Sequence, residues 1–240
     1  RKITLVEREK NWGLADNIID GVTTIVNQFG RIIVLEDDIV TSKGFLKYMN
    51  DALEMYQNEE KVMHISGYMF PSLKSKMASE TFLCQIAFSW SWATWSEQWL
   101  NYSGNSIELW KQLQERKLFD RFNMDKVYSF EKQLGNNMKG TLHTWAVKWH
   151  ANILLQDGLA LIPSTSLVKN IGNDSSGDNC TTDDRYANQE IKSSINLTKI
   201  HPLTESQEGR EVIKEYYRFL QKNTQTPDFL TKVNRKIKLF

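Results

Sequence analysis

The chain has 240 residues, 40% hydrophobic and 25% charged, with 30 Lys+Arg against 29 Asp+Glu for a net charge of +1. That balance excludes a disordered chain, which needs low hydrophobicity and high net charge, and offers no basic excess for coating nucleic acid. With 12 Gly, 4 Pro and 2 Cys it is neither low-complexity sequence nor a disulfide scaffold, and it is long enough for one large domain with an ample core. The widely spaced Cys84 and Cys180 read as free thiols.

Along the chain, residues 3–7 (ITLVE) predict a short strand. Apolar positions 14, 15, 18, 19, 22, 25, 26 and 29 predict one face of a helix, ended by Gly30. Ile32–Leu35 is a continuous apolar run, as a strand buried on both faces requires. A second helix carries Phe45, Leu46, Met49, Ala52, Leu53 and Tyr56 on one face, and Val62–Ser66 predicts a further strand. This alternation signals an α/β domain. Phe82–Phe88 predicts a strand, residues 106–117 and 145–156 predict helices, and Leu159–Ile162 and Ser166–Val168 predict short strands. Residues 170–185 are turn-forming and polar and predict a mobile surface loop, and residues 205–222 again have helical spacing. No internal repeat and no apolar run near the roughly 20 residues of a membrane span is present.

The strongest chemical feature is Glu36-Asp37-Asp38 at the end of an apolar strand. Ligands of open α/β sheets bind outside the carboxyl ends of the strands. Adjacent carboxylates repel, and either a hard divalent cation or solvent compensates them. Four of the chain's eight tryptophans, Trp90, Trp92, Trp95 and Trp99, fall within ten residues. Trp95 and Trp99, at i, i+4, predict inward-facing positions on a helix; Trp90 and Trp92 are open either to core packing or to the apolar face of a sugar. His64, inside an apolar strand, predicts a satisfied core histidine.

The order Asn11-x-Gly13, helix, apolar strand, acidic triplet and helix resembles GT-A glycosyltransferases, which use nucleotide-diphosphate sugars. The segment VLEDDIVTSKGFLKYMNDAL resembles the E-D-D segment of the N-acetylglucosaminyltransferase I group. The Trp90–Trp95 block, the block from Lys139 or Thr141 to Trp149, and Asn170–Gly177 resemble sugar transferases of bacterial polysaccharide gene clusters. The resemblance covers residues 3–180. It implies a GT-A-like domain over 1–203, a mixed, mostly parallel sheet flanked by helices, with a helical, basic extension over 204–240. It also implies a strand–helix–strand unit upstream of residues 3–7.

The implied activity is transfer of a sugar from a nucleotide-sugar donor to a glycan or lipid-linked glycan, in surface polysaccharide synthesis, assisted by Mn²⁺ or Mg²⁺. The resemblance makes Asp38 and Asp37 the metal ligands. It assigns Asn11, Gly13, Glu36, Asp37, Trp90, Trp92 and Trp145 to donor or acceptor binding. An inverting transferase needs a base at the acceptor hydroxyl. Where the relatives carry an aspartate, this chain has Ala146 and His143. His143 becomes the candidate base, with Asp120, Asp125 and Glu131 as substitutes; the departure leaves the base and the stereochemical outcome open. Asp174, Asp178, Asp183 and Asp184 fall in the loop expected to close over the donor. The basic, apolar end around Lys232, Arg235, Lys236 and Lys238 suits either an anionic membrane surface or solvent, so the expected place is the cytoplasm or the inner face of the membrane. A sugar-nucleotide nucleotidyltransferase and a non-catalytic glycan-binding transferase relative remain the alternatives.

Overall fold

A computed structural model describes residues 3–71, 77–172 and 189–224. In chain order the elements are α1 (Gly13–Phe29), β1 (Arg31–Val34), β2 (Ile39–Thr41), α2 (Phe45–Met55), β3 (Val62–Ser66), β4 (Thr81–Cys84) and β5 (Trp92–Trp95). There follow α3 (Ser96–Trp99), α4 (Ser106–Glu115), α5 (Phe119–Phe122), α6 (Phe130–Met138), α7 (Ala146–Leu155), β6 (Leu159–Pro163), β7 (Val168–Asn170) and a last helix, α8 (Gln207–Thr224). Among the described residues no helix is long and apolar enough to cross a membrane. The donor-loop aspartates, Cys180 and the basic C-terminal stretch lie outside the described residues.

A five-stranded sheet of order β1-β5-β3-β6-β4 forms the centre, with β2 and β7 pairing separately. The sheet is mixed and flanked by helices, as expected, but it is not mostly parallel. Only β3 and β6 pair in parallel, while β1–β5, β3–β5 and β4–β6 are antiparallel. β1, β3 and β6 nevertheless point the same way, because β1 and β3 both run against β5.

The local reading holds where periodicity dominates. α1 ends at Gly30, whose φ of 77° is the left-handed cap that glycine adopts without penalty. α2 buries Phe45, Met49, Ala52 and Leu53 as its spacing predicts, together with Tyr48, while Leu46 stays exposed. Two expectations fail. Residues 3–7 form no strand, and Ile3, Leu5 and Val6 are 93%, 80% and 65% exposed. Strand propensity expresses a fit to a half-buried pleated surface, and no partner strand meets this segment. β1 is not buried on both faces either: it is a sheet edge, with only Val34 fully buried.

α1 and α7 cover one face of the sheet and α2 and α8 the other. Strand β5 shows the division by period-two alternation. Trp92 packs with Trp99, Trp145 and Trp149 under α1, whereas Ala93 and Trp95 join the opposite cluster of α2, β4, β6 and α8. Trp95 and Trp99 are both buried, but on opposite sides of a strand-to-helix junction rather than along one helix. The Trp95 indole donates to the Leu53 carbonyl at 3.1 Å and that of Trp99 to the Thr23 hydroxyl at 2.9 Å.

Two histidines are built into this interior. His64 stacks on Trp92 at 5.5 Å and accepts the Trp149 indole N–H on Nδ1 at 3.2 Å. His150 places Nε2 3.2 Å from the Phe122 carbonyl and stacks on that ring at 4.9 Å. Burial lowers the pKa of His64 to about 3 and of His150 to about 4. Both are therefore neutral when folded, whereas the unfolded chain protonates them below about pH 6.5. Their contribution to stability is complete above that value and falls as acid protonates the unfolded chain first. Lowering the pH from 7 to 5 is expected to cost roughly 4 kcal/mol from the two together. Denaturant melts of the wild type and His150→Phe at both pH values check this: the variant should lose about half as much on acidification.

Candidate active site at the carboxyl edge of the sheet

The chain topology brings scattered sequence blocks to one edge. β1, β3 and β6 all end there, and β5 begins there, with Trp92 opposite Val34 and Ser66. α1 leads into β1 and α7 into β6, so both helices start at this edge. The acidic triplet, Asn11–Asp16, Ser89–Trp92, His143–Ala146 and the β2–β7 ribbon consequently share one end of the sheet. Ligands of α/β sheets bind at such an edge.

Glu36, Asp37 and Asp38 form a tight turn into β2, closed by the Ile39 N–H on the Glu36 carbonyl at 3.3 Å. Asp37 is exposed. Burial, then the charges of Asp38 and Asp37, raises the Glu36 carboxyl from its ordinary value to about 7. Asp38 is anchored from the far end of the chain. Its Oδ2 accepts from Asn170 Nδ2 at 2.9 Å, and its carbonyl accepts the Ile171 N–H at 2.9 Å. Asn170 Oδ1 in turn accepts the Gly172 N–H at 2.8 Å. Asp38 Oδ1 is buried and has no hydrogen-bond partner among the described residues. An unpaired buried carboxylate oxygen is costly unless a cation or donor meets it. No three His, Cys, Asp or Glu side chains converge as a metal cage among the described residues. The donor set therefore fits a hard cation held by one or two carboxylates and completed by phosphate and water, and does not fit an all-protein site.

Gly172 explains why the Asn-Ile-Gly segment ends in glycine. A Cβ there would stand 2.4 Å from Asp38 Oδ2 and 2.8 Å from Asp38 Cβ. Gly172→Ala is expected to displace Asp38 with its local backbone, because the obstructed Asp38 Cβ, 2.8 Å away, cannot swing aside. Mn²⁺ titration in the presence of nucleoside diphosphate should show affinity about tenfold weaker, with a lowered melting temperature; equal affinity would detach Gly172 from the site.

The candidate base has a partner that the sequence did not reveal. His143 Nε2 lies 2.7 Å from Asp16 Oδ1, and both side chains are exposed. The buried Lys148 and the half-buried Tyr102 belong to the same surroundings: burial lowers the first and raises the second, and the Asp16 charge acts on both to raise them. Asp16 contacts one imidazole nitrogen of His143. The substitute bases fare differently. Asp125 is bound by Arg210 and Lys214, each at 2.9 Å, and the Arg210 hydrogen bond holds it down at about 2, too acidic for a base. Asp120 pairs with Lys126 at 3.1 Å, and Glu131 accepts from Asn123 Nδ2 at 3.0 Å.

Two of the residues expected to bind donor or acceptor, Trp92 and Trp145, lie in the core. Trp92 is fully buried and Trp145 is 3% exposed, the two rings stacked 5.0 Å apart beneath α1. They are core, because β5 turns Trp92 inward and α7 closes over it. Asn11 Oδ1 accepts the Gly13 N–H at 2.8 Å, and Gly13 has a φ of 73°. This pair shapes the entry to α1, where Arg8 lies over the Trp12 ring at 4.0 Å. Trp90 alone of the three tryptophans reaches a cavity, which it lines with Tyr68 and Phe88.

The fold is mixed α/β, with helices on both faces of its sheet. No protein-family model matches the chain, and no curated protein matches it.

Proposed function

We propose that the chain is a GT-A-like glycosyltransferase that moves a sugar from a nucleotide-diphosphate donor to a glycan or lipid-linked glycan. One observation carries the reading. The Asp38 carboxylate, at the carboxyl edge of the sheet, is fixed through one oxygen by Asn170 while its other oxygen is buried without a partner among the described residues. Asp38 would hold a Mn²⁺ or Mg²⁺ ion, with exposed Asp37 reaching it through water and Glu36 lending negative charge. When bound, such an ion neutralises the charge that develops on a diphosphate leaving group. His143, oriented by Asp16, takes the proton of the acceptor hydroxyl. The order of the resembling blocks along the chain supports the same reading, since Asn11–Asp16, the acidic triplet, Ser89–Trp92, His143–Ala146 and Asn170–Gly172 meet at this edge.

Calorimetric titration of the full chain with UDP, GDP, dTDP and CMP, with and without Mn²⁺, tests it. One nucleotide should bind at least about tenfold tighter with the ion present. Binding of none of them would overturn the reading. Ala146, where the relatives have an aspartate, favours a glycan binder without turnover as the reading to adopt in that case.

A further inference from the structure

Beside the acidic edge lies a second feature that the metal chemistry does not use. A cavity of about 290 Å³ opens between the end of β3, the segment before β5, and helices α6, α7 and α8. Its walls are largely aromatic. Tyr68 meets Trp90 edge-on at 4.7 Å, Phe70 meets Phe88 edge-on at 5.1 Å, and Phe130 closes the α6 side. Two half-buried polar side chains, Ser89 and Gln133, join the lining. The Gln133 amide is held in place, because its Nε2 donates to Tyr128 Oη at 2.9 Å. Ala146 and Val147, at the start of α7, line the cavity on the side nearest His143.

We propose that this cavity binds one pyranose ring, the terminal sugar of the acceptor. The C–H faces of a pyranose are apolar and match aromatic walls, while its rim of hydroxyls needs a few placed polar groups such as Ser89 and Gln133. The volume stands at the lower end of small-molecule sites, which suits a single ring. Small Ala146 leaves the α7 side open, and a larger residue there would occupy the space. Naming the ring as the acceptor's sugar rests on the transferase reading; the binding site itself does not.

Saturation-transfer NMR of the full chain with methyl glycosides of hexoses and N-acetylhexosamines, without donor or metal, provides the test. At least one glycoside should bind with millimolar affinity. Ala146→Leu fills the cavity and Gln133→Leu removes the polar edge; both positions are half-buried on helices. Each should weaken binding at least about tenfold while melting temperature and Mn²⁺-dependent nucleotide binding stay at wild-type values. No glycoside binding, binding indifferent to both substitutions, or displacement of the glycoside by a free nucleoside would each overturn the proposal. Glycoside binding that follows this pattern in a chain that binds no nucleotide would uphold the sugar site and remove only the transferase reading.

Discussion

Asp38→Asn is expected to lower Mn²⁺-dependent cleavage of the donor by about 10²–10³-fold, the effect of removing one preorganised electrostatic contact from a transition state. The substitution is nearly isosteric. The Asn carbonyl oxygen can still accept from Asn170 Nδ2, which now contacts Asp38 Oδ2 at 2.9 Å, and the backbone bond from Ile171 is untouched. What disappears is the negative charge and the acceptor capacity of the unpartnered Oδ1. Stability should therefore change little. The amide NH2 that replaces Oδ1 is as unpaired as the oxygen was, while the repulsion between Asp38 and the other two carboxylates is relieved. Measuring donor cleavage and thermal melting on the same preparation separates the two effects. Equal activity in the variant, with the fold intact, would show that Asp38 holds no catalytic cation.

Glu205→Ala is expected to have the opposite profile, a large loss of stability with no direct effect on nucleotide binding. Glu205 precedes α8 and is 6% exposed. It accepts the Gln85 N–H at 2.9 Å and the Cys84 thiol at 3.1 Å, and pairs with Arg210 at 3.2 Å and with Arg121. Burial opposes its ionisation, but the Gln85 and Cys84 hydrogen bonds and the two guanidiniums outweigh burial and hold it below the usual carboxylate range. The same burial pushes the Cys84 thiol well up, so this free cysteine is an inert part of the network. Arg210 is itself only 3% exposed. Removing Glu205 takes a shared partner from both guanidiniums and leaves the buried Gln85 N–H unmet, with Arg210 held by Asp125 at 2.9 Å, and costs about 3 kcal/mol. For a domain of this size the melting temperature should fall by roughly 10 °C. Thermal denaturation followed by circular dichroism checks this, and a fall of only about 2 °C would mean that Asp125 alone suffices to hold Arg210.

The contrast between these two carboxylates shows which parts of the molecule were legible in its sequence. Elements with clear periodicity were readable: α1 with its Gly30 cap, α2, the fully buried β3, and α7 ending before Gly158 all follow from local patterning. Their assembly was not, because sheet order is decided by long-range pairing. The run Ile32–Leu35 resembles a central strand, yet β1 pairs with β5 alone and stands at the edge. Trp92 and Trp145 illustrate the same limit within the site. A dense tryptophan block is compatible with sugar stacking or with core, and only the inward alternation of β5 and the closure of α7 decide for core.

The acidic triplet was conspicuous because three adjacent carboxylates need a reason. Its anchor was not, since Asn170 is separated from Asp38 by 132 residues and no local rule joins them. Asp16 was invisible for the same reason, lying 127 residues from the histidine it contacts. Gly172 did carry a signal, being a glycine within the Asn-Ile-Gly segment, but its meaning is steric and depends on the position of Asp38.

The most direct test of the account is turnover. The full chain is incubated with a panel of UDP-, GDP-, CMP- and dTDP-sugars and Mn²⁺, and release of the nucleotide product is followed, with Asp38→Asn alongside. The account predicts that one donor is cleaved, that chelation of the ion stops the cleavage, and that the variant shows almost none. A folded chain that releases nucleotide from no donor with the ion present, or that releases it equally in Asp38→Asn, would contradict it.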